Sequence, residues 1–217
     1  MPHSYDVRYS QASIAASRHF AAEIRFCLKL AGVQHPRTVL DLGGGTGAHS
    51  LILQDMGFDV TLLDSSPIGV EKAKAAGVRR AIEGDFFADP LRNEKFDVVL
   101  ARSFSGFNTD QPAFFADTLA RVGELVAPGG VLIYWSWTDC SGQWSDRDTS
   151  SGGFSHTPRS IDGLFDRLLL VPKFHVLARA PIGFTLAANR ILRALPAPLP
   201  KRVTLLGLRN RPRTQAA

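Results

Sequence analysis

Asp41 and a cluster of glycines form the most chemically suggestive pattern in this sequence. They lie in the stretch 38–47, T-V-L-D-L-G-G-G-T-G, where an apolar run is followed by glycine at four of five positions. Glycine adopts positive φ and lets a ligand approach the main chain, while the helical pattern at 48–56 places a helix N-terminus beside it. A buried strand, a glycine turn and a helix together predict a nucleotide-binding corner.

Two further carboxylates stand where such a corner needs them. Asp64 ends the predicted strand 58–63, about 20 residues after the glycines, and a carboxylate there can accept hydrogen bonds from both hydroxyls of a ribose. The alternative is that Asp64 caps the helix beginning near Pro67, a task for which Ser65 and Ser66 are also suited. Asp85 follows the short predicted strand 80–83, in the run G-D-F-F.

Strands and helices alternate along the first two thirds of the chain. Apolar runs predict further strands at 96–101 and 131–137, and apolar residues at helical spacing predict helices at 68–76 and 112–126. This alternation is typical of a doubly wound parallel sheet, because right-handed crossovers join parallel strands. A helix at 10–30 precedes the first strand, and we expect either a lid over the corner or an ordinary docking helix.

The alternation stops at the polar, glycine-rich stretch 138–160. A loop of this length at the carboxyl end of a strand is usually functional, so we expect it to cover a substrate pocket. Trp144 and His156 are candidates for that pocket, and His156 is either a general base or merely an exposed side chain. Beyond the loop, the pattern predicts a helix at 161–170 and strands at 173–180 and 203–208.

The composition is that of an ordinary globular protein. Of 217 residues, 45% are apolar and 21% are charged, and this length suits one domain. No apolar run approaches the roughly 18 residues that span a bilayer, and the first residues lack an apolar signal core, so we expect a cytoplasmic protein. Cys27 and Cys140 have neither disulfide nor metal-ligand spacing, and no metal site is predicted.

Charge is unevenly distributed along the chain. Residues 1–166 contain all 20 acidic side chains and 15 basic ones, a net charge of −5, whereas 167–217 contain 10 basic side chains and no acidic ones, a net charge of +10. Such a basic segment predicts an anionic partner, such as a peripheral membrane surface, RNA or an acidic substrate. The alternative is that these side chains form a solvated face. No DNA partner is expected.

The motifs resemble those of the class I S-adenosylmethionine-dependent methyltransferases, most clearly over residues 38–136. D-L-G-G-G-T-G at 41–47 is similar to that family's acidic-x-Gly-x-Gly-x-Gly signature, and Asp64 matches its ribose-binding acid. Gly84-Asp85-Phe86 matches its adenine-binding turn, and V-A-P-G-G at 126–130 matches its turn into the fifth strand. The resemblance implies that S-adenosyl-L-methionine is the cofactor, that S-adenosyl-L-homocysteine is its product, and that the cofactor-binding residues are Asp41, Gly43, Gly45, Gly47, Asp64, Ser65, Asp85, Phe86 and Arg102.

The same resemblance implies a fold and a division of the chain. The fold is α/β, a doubly wound, Rossmann-like, mostly parallel sheet of seven strands whose last strand is antiparallel. Residues 1–217 then form one methyltransferase domain with an N-terminal helical lid (1–36), a cofactor-binding core (37–137), the loop over the substrate site (138–160) and a basic part that completes the sheet (161–217). We expect a monomer or a homodimer.

The chemistry of a sulfonium donor limits what the site must supply. Because the sulfonium is already a good leaving group, methyl transfer needs an in-line approach and exclusion of water, and a general base only for a weakly acidic acceptor. The sequence lacks the Asn/Asp-Pro-Pro-Tyr/Phe and Pro-Cys motifs of nucleic-acid and glutamine methyltransferases, which favours a small-molecule acceptor. Aromatic residues predict that this acceptor is apolar or aromatic, and the candidates for binding it are Tyr9, Phe104, Trp137 and Trp144.

Two other functions remain open on the sequence alone. Gly43-x-Gly45-x-x-Ala48 with Asp64 also satisfies the loose fingerprint of an NAD(P)-dependent oxidoreductase. A protein that holds S-adenosylmethionine without turning it over, or that chiefly associates with a membrane or RNA through its basic segment, is the other alternative. A rise in melting temperature with S-adenosylhomocysteine but not with NADH, or the reverse, distinguishes a methyltransferase from an oxidoreductase.

Overall fold

The computed structural model describes residues 6, 9–10, 20–109, 111–138, 173–177 and 202–209. The helices in this part of the chain are α1 (Phe20–Ala31), α2 (Ala48–Asp55), α3 (Pro67–Ala75) and α4 (Pro112–Leu125). The strands are β1 (Thr38–Leu42), β2 (Asp59–Asp64), β3 (Arg80–Glu83), β4 (Phe96–Arg102), β5 (Val126–Thr138), β6 (Lys173–Leu177) and β7 (Arg202–Arg209). Two short 3-10 turns, Phe86–Ala88 and Ser105–Phe107, follow β3 and β4.

The described strands form one sheet in the order β3-β2-β1-β4-β5-β7-β6. Strands β1 to β5 are parallel to one another, with Val39 opposite Val60 on one side and opposite Val98 on the other. Strand β7 runs antiparallel to β5 and to β6. The predicted α/β class and the parallel order of the first five strands are confirmed. The carboxyl ends of parallel strands lie at one edge of a sheet. The last residues of β1, β2 and β4, which are Leu42, Asp64 and Arg102, therefore lie at the same edge.

Both faces of the parallel strands are buried, because successive side chains point to opposite faces. Val39 and Val98 pack with helices α1 and α2 on one face, while Leu40 and Val99 pack with helix α4 on the other. The α4 face also contains an aromatic group, in which the ring centroids of Phe107 and its neighbours are separated by about 5 to 6 Å: Phe104, Phe107, Phe115 and Tyr134. The sheet edge above these two layers is therefore held rigidly.

The start of β5 differs from its prediction. The run V-A-P-G-G at 126–130 was expected as a turn, but the structure includes it in β5. Phe96 pairs with Val126 and Val98 pairs with Val131, so the register shifts between them. Gly129, with a φ of 80°, lies within this irregular stretch. A bulge in one strand, rather than a chain reversal, accommodates the proline and glycines.

Several predictions concern residues outside the described part of the chain. These are the first half of the expected lid helix, the loop after residue 138 with Trp144 and His156, the helix at 161–170, and most of the basic segment. Within the described residues, none of the helices is both long enough and apolar enough to cross a bilayer.

Candidate cofactor site

A cleft of about 550 Å³, part of it open to solvent, lies above the carboxyl ends of β1, β2 and β4. Its place is the ligand-binding edge of a doubly wound sheet. The cleft is lined by residues from the segment before α1, the glycine turn, and the ends of β1 to β4 with the loops that follow them. These residues are Tyr9, Leu42, Gly43, Leu63, Asp64, Ser65, Gly84, Asp85, Phe86, Phe87, Ser103, Phe104 and Ser105.

The glycine turn forms one side of this cleft with bare main chain. Gly43 donates its N–H to the carbonyl of Leu63 at 2.8 Å, which fixes the turn to β2. Gly45 has a φ of 55°, and a Cβ there would lie 2.8 Å from the Tyr9 hydroxyl oxygen. Gly47, with a φ of 81°, precedes α2, and a Cβ there would lie 2.6 Å from Val78. Larger residues are excluded at both positions by backbone strain and by contact.

Asp64 is held at the end of β2 by two main-chain donors. The carboxylate is 7% exposed, and it accepts hydrogen bonds from the N–H of Gly45 and the N–H of Ser66, each at 2.8 Å. The Ser66 hydroxyl caps α3 by accepting from the N–H of Gly69 at 3.1 Å. The alternative in which Asp64 caps α3 is therefore wrong. Since each carboxylate oxygen has two lone pairs, Asp64 retains acceptor capacity toward the cleft.

Asp85 and the residue after it have different exposures. Asp85 is exposed, and its carboxylate accepts from the N–H of Phe87 at 3.0 Å, which orders the 3-10 turn that follows. The ring of Phe86 is buried in the core and meets the ring of Phe104 edge-on at 5.3 Å. Phe87 is half-buried, with the Arg121 guanidinium 5.7 Å from its ring centre. Phe87 is thus the phenylalanine with a ring surface left for a ligand.

The described residues Asp6, Tyr9 and Ser10, which we call the N-terminal strap, cross this site. Asp6 accepts a hydrogen bond from the Ser66 hydroxyl at 2.5 Å. The ammonium of Lys72 donates to the carbonyl of Tyr9 at 2.5 Å and to that of Ser10 at 3.2 Å. The strap is thereby fastened to α3, and it places the Tyr9 ring against the glycine turn and against Gly69, whose Cβ would lie 3.0 Å from that ring.

Two of the four predicted acceptor-binding residues lie together in the part of the chain that the structure describes in full. Tyr9 and Phe104 line the same cleft as Asp64 and Asp85. Phe104 is only 8% exposed, and its ring lies 3.1 Å from where a Gly43 Cβ would be, so it forms the floor of that cleft. Trp137 lies in β5 opposite Val203. Trp144, like the candidate base His156, lies outside the described residues.

Asp41 lies behind the glycine turn rather than in the cleft. It is 2% exposed and accepts a hydrogen bond from the Ser50 hydroxyl at 2.6 Å. Burial raises its pKa to about 6, while the Ser50 hydrogen bond and the nearby Arg102 charge act in the opposite direction. Arg102 interacts electrostatically with both Asp41 and Glu23, and burial lowers the pKa of its guanidinium. Arg102 remains charged because arginine has so high an intrinsic pKa.

His49 is a residue that sequence reasoning missed. It lies two positions after Gly47, in the first turn of α2, and meets the ring of Phe20 edge-on at 4.4 Å. Burial, together with the Arg102 charge, lowers its pKa to about 3, so the imidazole is neutral at physiological pH. The available signal was its position directly after the glycine turn, a place close to the predicted ligand.

The described residues offer neither a metal centre nor a reactive thiol. No group of three or more histidine, cysteine or acidic side chains in this part of the chain has a metal-binding arrangement. Cys27 is buried in α1, and burial raises its pKa to about 12, which keeps it a thiol. The chemistry of the site therefore depends on its carboxylates, its main chain and its aromatic rings.

Fold and site together define a domain that binds an adenosine-type cofactor. A glycine turn follows β1, an acid ends β2, and a second acid follows β3, all around one cleft. A family model described as "Methyltransferase domain" matches residues 40–134. This part of the chain is therefore similar to the class I S-adenosylmethionine-dependent methyltransferases.

Curated relatives are similar to this chain in sequence, and a solved structure shares its fold. The chain is 30% identical over 132 residues to a ubiquinone biosynthesis O-methyltransferase of Methylobacterium nodulans, covering 58% of this chain and 50% of that protein. A protein of the same description from Paramagnetospirillum magneticum is 34% identical over 122 residues, covering 54% and 47%. The chain thus spans about half the length of these relatives. The plantazolicin methyltransferase BpumL shares the fold, with a TM-score of 0.63 at 16% identity over 95% of this chain and 88% of that one.

Proposed function

We propose that this chain transfers a methyl group from S-adenosyl-L-methionine to a small-molecule acceptor. The observation that carries the proposal is the convergence of Asp64, Asp85 and Gly43 on one cleft, in a chain whose residues 40–134 match a methyltransferase domain. Both acids remain able to accept hydrogen bonds from a ligand.

The cleft fits the adenosyl part of this cofactor. Asp64 would accept from the two ribose hydroxyls, and Asp85 from the exocyclic amine of adenine. The main chain of Phe86 would meet the adenine ring nitrogen, and the half-buried ring of Phe87 offers a flat apolar surface. A side chain at Gly43 would lie 3.1 Å from the Phe104 ring, so glycine lets the turn pack directly on the floor of the cleft.

The bound cofactor would supply an electrophilic methyl group on a sulfonium. An acceptor that carries a proton would have to release it to solvent or to a base. The chain contributes orientation and exclusion of water, the two effects that such a displacement requires. Tyr9 and Phe104, which wall and floor the cleft, supply apolar surface for this purpose. A role for His156 as the general base stays a prediction.

The acceptor we propose is apolar or aromatic, and acidic or lipid-like groups on it are compatible with the basic segment. Two curated relatives are named ubiquinone biosynthesis O-methyltransferases, which favours oxygen on such a molecule as the methylated atom. Because the chain spans about half of each relative, this acceptor class rests on analogy and on the aromatic residues near β4 and β5.

Thermal unfolding with added cofactors tests the proposal. A ligand at 100 times its Kd stabilises the native state by about 2.7 kcal/mol, which for a chain of this size raises Tm by about 5 to 10 °C. We expect S-adenosyl-L-homocysteine to produce such a rise and NADH to produce none. A rise with NADH alone would instead support the oxidoreductase reading of the glycine turn.

A further inference from the structure

Arg121, on helix α4, contacts Phe87 in the turn that follows β3. Arg121 lines a groove between α4 and the loop 89–95, whereas Phe87 and Asp85 line the cofactor cleft. Phe87 therefore lies between Arg121 and the cleft. An effect of Arg121 on a ligand in the cleft would have to pass through Phe87.

The Arg121 guanidinium contacts both the main chain and the ring of Phe87. Its Nη1 donates a hydrogen bond to the Phe87 carbonyl at 3.2 Å, and its central carbon lies over the Phe87 ring, 5.7 Å from the centroid. Its Nε donates to the Asp117 carboxylate at 3.2 Å, one helical turn away, which orients the guanidinium. Because a guanidinium is planar and has donors in fixed directions, one side chain makes all three contacts together.

Two other rings support Phe87, which nevertheless stays half-buried. Phe86 meets the Phe87 ring at 76° with the centroids 5.1 Å apart, and Phe114 lies tilted against it at 5.2 Å. Phe114 is itself 39% exposed, so its support is weaker than that of a core side chain. A ligand that must first immobilise a mobile side chain binds less tightly, and the contact with Arg121 reduces this cost.

The main chain of Phe87 also joins Arg121 to Asp85. The N–H of Phe87 donates to the Asp85 carboxylate at 3.0 Å, while the Phe87 carbonyl accepts from Arg121. Holding Phe87 in place therefore fixes two groups that face the cleft, the carboxylate of Asp85 and the ring of Phe87.

We propose that Arg121 is a positioning residue that holds Phe87 and the Asp85 turn in the arrangement that receives the cofactor's adenine. This role rests on the proposed function. The affinity for S-adenosyl-L-homocysteine should then depend on Arg121, and most of that dependence should require the ring of Phe87.

Calorimetric titration of S-adenosyl-L-homocysteine against wild type and four variants tests this role. Arg121→Gln removes the guanidinium and keeps a good helix former, and it should leave the fold intact because the Arg121 side chain is 43% exposed. Arg92→Gln is the matched control, since Arg92 is an exposed arginine that lines the same groove. Phe87→Leu, alone and combined with Arg121→Gln, removes the ring through which Arg121 would act.

We expect Arg121→Gln to bind S-adenosyl-L-homocysteine about fivefold more weakly than wild type, as for loss of an exposed cation–π contact and a hydrogen bond. Arg92→Gln should bind it like wild type. In the Phe87→Leu background, Arg121→Gln should weaken binding by at most about twofold, since only the hydrogen bond to the main chain is then lost.

Three results would overturn the role of Arg121. These are an unchanged affinity in Arg121→Gln, a loss of the same size in the Phe87→Leu background, which is the mark of a general structural effect, and an equal loss in Arg92→Gln, which would reflect net charge alone. In each of these cases wild type still binds S-adenosyl-L-homocysteine. Failure of wild type to bind it would overturn the proposed function as well.

Discussion

A methyl group added at Gly69 would strike the ring of Tyr9. The Cβ of Gly69→Ala would lie 3.0 and 3.2 Å from two Tyr9 ring carbons and 3.3 Å from the carbonyl carbon of Gly45. Ordinary contacts are longer, so the ring and the glycine turn must shift by several tenths of an ångström. The strap cannot move freely, since Lys72 and Ser66 hold it to α3.

The size of the effect follows from two opposing contributions. Overpacking costs about 1 to 3 kcal/mol, while replacing a helical glycine by alanine contributes up to about 1 kcal/mol of stability. Gly123→Ala is the matched control, because Gly123 is also helical and a Cβ there meets nothing within 4 Å. We therefore expect Gly123→Ala to be more stable than wild type and Gly69→Ala to be less stable by about 1 kcal/mol.

Two assays distinguish this explanation from a general loss of stability. Calorimetric titration should show that Gly69→Ala binds S-adenosyl-L-homocysteine about tenfold more weakly than wild type, a loss of about 1.4 kcal/mol in binding free energy. Gly123→Ala should bind it like wild type. Urea unfolding should show that Gly69→Ala destabilises the chain less when Tyr9→Ala is also present, since only the 3.3 Å contact with Gly45 then remains. A Gly69→Ala variant as stable and as tightly binding as Gly123→Ala would refute the contact between Tyr9 and α3.

Three further predictions follow from the site. Asp64→Asn replaces one of the two carboxylate oxygens, which accept from the N–H groups of Gly45 and Ser66, by a donor, and it should weaken S-adenosyl-L-homocysteine binding by about 10- to 100-fold. The control Asp59→Asn, at the exposed start of β2, should leave the affinity measured by calorimetry unchanged. Equal losses in the two variants would contradict the role of Asp64 in binding the cofactor. The pKa of Asp41 is raised to about 6 in the folded chain, so the stability contributed by its protonated form is fully present below the unfolded pKa of 3.8 and is lost as pH rises through 6. Between pH 5 and pH 7.5, urea unfolding should therefore show wild type losing about 1.4 kcal/mol of stability relative to Asp41→Asn. The same pH dependence in both proteins would show that the pKa of Asp41 is not perturbed. The basic segment should bind phosphatidylserine vesicles but not phosphatidylcholine vesicles in a sedimentation assay, with binding lost as salt rises; the full-length chain is needed because β7 pairs with β5, and equal binding to both lipids would argue for a solvated face.

Local patterns predicted the fold well wherever local physics decides it. The predicted bounds of β3, residues 80–83, are those of the structure, because Gly77 and Gly84 bound a run that is too short for a helix. The glycine turn was predictable for the same reason, since four clustered glycines between a strand and a helix have few other uses. The bulge at the start of β5 was not, because pairing with β4 decides whether a Pro-Gly-Gly run reverses the chain or is accommodated by a shift of register.

The site was predictable only in part, because its contacts join distant residues. The placement of Asp64 and Asp85 at one edge follows from parallel strands, but the contact of Tyr9 with Gly45 and Gly69 depends on how the strap packs. The burial of His49 depends likewise on the packing of α1 against α2. Side chains that act through tertiary contacts leave no spacing to detect.

A crystal structure of this chain with S-adenosyl-L-homocysteine bound tests the proposed roles of Asp64 and Asp85. We expect both ribose hydroxyls to lie within hydrogen-bond distance of the Asp64 carboxylate and the adenine amine to lie within hydrogen-bond distance of Asp85. A ligand bound elsewhere, or an adenosine whose ribose faces away from Asp64, would contradict this expectation.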